Sequence, residues 1–115
     1  MESILTTIKK LLGIVEDCTD FDDVLVIYIN SAFSVLHQLG VGPKEGFSIE
    51  DYHDVWTDFI RNDPSTLRNV RTYIYLKVKL MFDPPQNSAL LESINRQILE
   101  HESRLNMVVD PGEEI

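Results

Sequence analysis

Glu50 and His53 stand three positions apart, the spacing at which a helix places a carboxylate and an imidazole on one face, as in carboxylate-bridged di-iron bundles. That chemistry needs the pair twice, with two further inward glutamates. Here it occurs once, because the residue at the matching distance before His101 is Ile98. Glu50 and His53 are therefore read as the outer face of a helix. Cys18 is the one cysteine, and it sits among Glu16, Asp17 and Asp20, whose charge opposes thiolate formation. A single cysteine also excludes an internal disulfide framework and a cysteine-rich zinc site. His37 lies beside Leu36 and Leu39 and reads as a tolerated polar residue at an apolar edge. Gly40-Val41-Gly42 lacks the third glycine of a phosphate-cradling loop and runs into Pro43. Asp20, Asp22 and Asp23 miss the EF-hand pattern and fit better as acids at a helix start. No catalytic constellation emerges. The expectation is a protein that is not an enzyme and needs no cofactor and no metal.

What the sequence does hold is uneven charge. The 115 residues carry 10 Lys and Arg against 19 Asp and Glu, a formal net charge of −9. Residues 1–60 sum to −8, residues 61–83 to +3, and residues 84–115 to −4. Arg61, Arg68, Arg71, Lys77 and Lys79 thus form a basic island in an acidic chain. An acidic surface is unsuited to gripping nucleic acid, since phosphate binding needs clustered Lys and Arg. Opposite charge on separate segments suits a contact between copies, the island of one against Asp20, Asp22 and Asp23 of the next. Such a head-to-tail contact closes into a ring or grows into a filament. The rival reading is a solvated helix face, or local pairing with the abundant acids.

The elements that must position these groups are helices. Ile4, Leu5, Ile8, Leu11 and Leu12 predict a first helix over about 3–12, stopped by Gly13. Thr19 or Asp20 is expected to cap a second helix over about 21–39. It is apolar almost all round, with Val26, Ile27, Ile29 and Phe33 spilling off the main face, which predicts surface left for another copy. After the loop 40–47, where a short strand has room, Ser48 and Asp51 make a weak capping box for a third helix over about 49–61. Asp63-Pro64 opens a fourth, central helix over about 65–82, and Asn87 or Ser88 caps a fifth over about 89–105. Glu92, Glu100 and Glu102 are expected to face out. The fold class is all-α, a small bundle of about five helices, with residues 1–105 as the helical domain and 106–115 as an extended or disordered tail. Lys9-Lys10 precedes an apolar run too short for a targeting segment, and no stretch approaches a membrane span.

The order of features resembles the small α-helical head–tail connector (adaptor) proteins of tailed bacteriophages with long non-contractile tails. The likeness is carried by Leu11-Leu12-Gly13-Ile14, by Asp20-Phe21-Asp22-Asp23 leading into Val24–Leu39 and Leu39-Gly40-Val41-Gly42, and by Tyr75-Leu76-Lys77-Val78-Lys79-Leu80-Met81-Phe82-Asp83-Pro84-Pro85. Ser93-Ile94-Asn95-Arg96-Gln97-Ile98 and Arg104-Leu105-Asn106 continue it. The resemblance implies a structural virion protein forming a ring below the portal, joining head to tail and continuing the DNA channel. The implied partners are further copies of the chain, the portal protein, and a head-closure or tail protein. DNA passes without specific binding, and no membrane is involved. The implied location is the neck of the virion, after synthesis in the bacterial host cytoplasm. It also implies that the C-terminal segment reaches the portal, which makes Val108, Val109, Asp110 and Pro111 the candidates for that contact. The alternative is a small acidic regulatory or inhibitory module that binds one protein partner.

Overall fold

A computed structural model describes the backbone of residues 2–113 and the side chains of residues 2–106. Five helices follow one another: α1 (Ile4–Leu12), α2 (Asp22–Gln38), α3 (Trp56–Phe59), α4 (Pro64–Phe82) and α5 (Ser88–Glu113). The all-α class holds. The one sheet-like pairing among the described residues is an isolated bridge between Ser3 and Val55.

Local chemistry sets most of the ends. Ser3 Oγ accepts from the Thr6 amide at the start of α1, and Gly13, at φ 82°, closes it in the left-handed conformation. Asp63 accepts from the Thr66 amide with Pro64 in the first turn of α4. The Thr66 hydroxyl first, and then its amide, favour the charged carboxylate and hold Asp63 below its ordinary pKa. Asn87 Oδ1 accepts from Ala89 and Leu90 at 2.8 and 3.2 Å. The expected cap of α2 is not formed: its N-cap is Phe21, without a side-chain bond. Phe21 is instead held edge-on against Phe82 at 5.2 Å, and the charges of Asp22 and Asp23 act on the helix start in place of a cap.

Helix α4 is central as expected, packing against α1, α2 and α5. Val70, Tyr73, Ile74 and Val78 of α4 meet Ile4 and Ile8 of α1, Leu25, Ile29 and Leu36 of α2, and Ile94, Ile98 and Leu105 of α5 in one core. The Tyr73 hydroxyl donates to Glu102 at 2.8 Å, so Glu102 turns inward to α4, contrary to the expectation that it faces out. Burial first, and then that carboxylate, push the Tyr73 phenol well above its ordinary pKa.

The third helix is the largest correction. A run over 49–61 was expected; only Trp56–Phe59 is helical. Three aspartates divert the preceding backbone into turns. Asp54 accepts from the amides of Glu50 and Asp51, Asp51 from that of His53, and Asp58 from that of Val55. Short acids that bond nearby amides compete with helix in this way. The segment then wraps over α2. Asn30 clamps Ile49 with two bonds, accepting from its amide at 2.7 Å and donating to its carbonyl at 3.0 Å. Phe47 and Phe59 close on Phe33 at 4.9 and 4.8 Å. Gly42, at φ +95°, lies so close to the Phe59 ring that a Cβ would overlap it. The all-round apolarity of α2 is therefore largely satisfied within the chain, with α4 on one side and residues 41–59 on the other. The unpartnered surface expected there shrinks to Ile27 and, at the helix start, the outer part of Phe21 that Phe82 leaves uncovered.

Helix α5 carries through the boundary expected at Asn106, with bounds Ser88–Glu113. The side chains of Val108, Val109, Asp110 and Pro111 lie outside the described residues, and so does the end of the expected tail.

Candidate functional site

The basic island does not form one patch. Arg68 and Arg71 stand one turn apart near the start of α4. Lys77 is nine residues beyond Arg68, about 180° around the helix at 100° per residue, so it serves another side. Lys79 is tied to Asp83 at 3.1 Å. Arg61 is exposed in the break before α4, beside Asn62, whose φ of 60° marks a tight reversal. Arg68 and Arg71 share a concave feature, a cleft of about 250 Å³ lined by Glu2, Trp56, Pro64, Leu67 and the two arginines. Glu2 lies 3.7 Å from Arg71, and also 3.7 Å from Lys10. Arg68 has no carboxylate partner among the described residues. The floor is rigid, because the Trp56 indole N–H donates to Thr7 Oγ1 at 3.0 Å and Thr7 donates on to the Ser3 carbonyl at 2.7 Å.

The acidic candidates also separate. Asp20 and Asp23 are exposed. Asp22 is committed within the chain: its Oδ1 lies 3.0 Å from Lys9 Nζ, and the Lys9 side chain is 4% exposed. Lys9 donates in addition to the Glu16 carbonyl at 3.0 Å. The sequence reading gave Lys9 no structural part. Its position C-terminal to Leu5 and Ile8 on α1 placed it beside the buried stripe, where a long stem can run inward to an acid. A second cleft, of about 290 Å³, opens beside this pair between Thr6, Thr19 and Tyr52.

The residues weighed for chemistry are dispersed. His53 Nδ1 lies 3.0 Å from Asp51 Oδ1 in an exposed turn, so Glu50 and His53 share no helix face. The His53 amide, and then its ring, keep Asp51 below its ordinary pKa. His37 Nε2 lies 2.9 Å from the Lys44 carbonyl and closes the loop after α2. Cys18 is half-buried and free. No group of three or more ligating side chains is brought together among the described residues. No described helix is long and apolar enough to cross a membrane.

The arrangement offers surfaces: a basic, apolar-floored cleft at one end of α4 and an acidic loop at the other. Compared with known proteins, the chain matches no curated protein and no solved structure. A family model described as "Phage connector protein" matches residues 4–112. That match takes in nearly the whole helical framework, and the chain belongs to this phage connector family.

Proposed function

We propose that this structural phage protein assembles as a ring below the portal, joins the head to the tail, and continues the channel through which DNA passes. The observation that carries the reading is the family match over residues 4–112. Two features support it. The molecule is slab-like, with extents of 47 × 36 × 20 Å, a shape that stacks side by side. Its net charge of −9 gives a wall that repels phosphate and so lets DNA slide. In this reading copies meet head to tail through the Arg68–Arg71 part of the island and the acidic first segment. The C-terminal residues Val108, Val109, Asp110 and Pro111 reach the portal, and the opposite face receives a head-closure or tail protein. The protein then resides in the virion neck and has no catalytic role.

Electron microscopy of purified virions carrying a tagged copy tests this. Density for the tag in a ring between portal and tail is the expected outcome. Virions whose neck lacks the protein overturn the reading, and a one-to-one complex with a single non-virion protein favours the acidic regulatory module instead. A chain truncated before Val108 loses the last turns of α5, should otherwise keep its helical spectrum, and should lose portal attachment. Unchanged attachment removes the portal-contact part alone.

A further inference from the structure

Which surfaces join neighbouring copies can be argued from the two ends of the molecule; the inference rests on the head-to-tail assembly proposed above. We propose that the cleft floored by Trp56, Pro64 and Leu67 and rimmed by Arg68 and Arg71 is the socket for the Val15–Asp17 turn of the next copy.

The turn complements the cleft. Val15 is 70% exposed, more than any other large apolar side chain among the described residues. Glu16 and Asp17 follow it directly, both exposed. An aliphatic knob backed by two carboxylates matches an apolar floor backed by two guanidiniums: Arg71 is shared with Glu2 on the rim, and Arg68 has no acid of its own among the described residues. The cleft beside Lys9 offers no such match, because its cation is already engaged.

The turn is also held ready. The Cys18 amide donates to the Val15 carbonyl at 3.0 Å, closing it. Lys9, buried beneath, donates to the Glu16 carbonyl at 3.0 Å and pairs with Asp22, anchoring the turn to α1 and α2. A segment fixed in its bound shape loses little entropy on docking. The socket is fixed in the same way by the Trp56–Thr7–Ser3 relay.

Socket and turn cannot meet within one chain. Glu2 precedes α1 and Val15 follows it, about 14 Å apart along nine helical residues. Pro64 opens α4 in the socket, and Phe82 closes α4 about 27 Å away, where Phe21 packs on it. Two different patches at opposite ends make a heterologous contact, which is the kind that builds rings.

Cross-linking tests this on the whole chain. In a Cys18→Ser background, Thr19→Cys and Ser65→Cys place thiols at exposed positions flanking the turn and the socket. A short bis-maleimide is expected to give a ladder of dimer, trimer and higher species when both thiols are present, and none with either alone. Arg68→Glu should abolish the ladder, and adding Glu16→Lys should restore it, with the helical spectrum unchanged throughout. Dimers from a single-thiol variant, or an unaltered ladder with Arg68→Glu, overturn the socket. Rings in virions without a ladder overturn the socket and leave the ring standing. A wild-type chain that remains single at all concentrations and in purified necks overturns both.

Discussion

Asn30 does more for this fold than its half-buried position on α2 announces. Its amide satisfies both backbone groups of Ile49, standing in for the strand that the wrapping segment lacks. Asn30→Ala leaves two poorly solvated backbone groups unpaired and should lower unfolding stability by about 2 kcal/mol in denaturant titration. Asn30→Asp keeps the acceptor and loses the donor, and should fall between. His101 supplies a pH dependence. Burial first, and then Arg104, lower its pKa, while Glu100 acts the other way. The folded state thus disfavours the imidazolium relative to the unfolded chain. The contribution of His101 is complete above its ordinary pKa of 6.5 and is lost as pH falls through that value towards the lowered one. Thermal melts between pH 7.5 and 5.5 should show a decline that His101→Gln reduces. None of these roles is legible in sequence: an asparagine inside an apolar helix and a histidine in an amphipathic one carry no periodic signal, and their partners are 19 residues away or unpaired.

Among the elements, the pattern that sequence carries well is the long amphipathic helix with marked ends. Gly13, Asp63-Pro64 and Asn87 stop or start helices where they were expected to, and the stripe on α4 announces its central place. The segment over 49–61 misleads because its apolar residues keep helical spacing while Asp51, Asp54 and Asp58 each capture a nearby amide. Periodicity reports which side chains are buried, and Trp56 and Phe59 are indeed buried. It does not report how short acids redirect the chain between them. The tie between α1 and α2 was equally hidden, since it runs through a lysine. Lys9→Met removes the cation from Asp22 and from the Glu16 carbonyl and should destabilise the protein by about 2 kcal/mol, less than a fully dry pair because Asp22 keeps contact with water. Pairing it with Asp22→Asn should recover part of the loss, which a double-mutant cycle measures.

For the molecule as a whole, the charge segments were readable and their geometry was not. Composition showed an island of five basic residues; only the structure separates Arg68 and Arg71 from Lys77 and Lys79. Assembly through the former pair should weaken as salt rises from about 50 to 500 mM, because the Debye length that screens rim charges shrinks from about 14 to about 4 Å. Sedimentation across that range checks it, and an apolar interface centred on Ile27 or Leu99 would show little change. The unbroken 19 residues of α4 carry a further consequence. With neither glycine nor internal proline to bend it, this rod sets the angle between the two joining ends, and so the circumference at which a circle of copies can shut. Thr72→Gly, at an exposed position in its middle, softens the rod without touching the core. Subunits altered in that way should still grasp one another, yet close into circles of uneven size or wind into an open spiral.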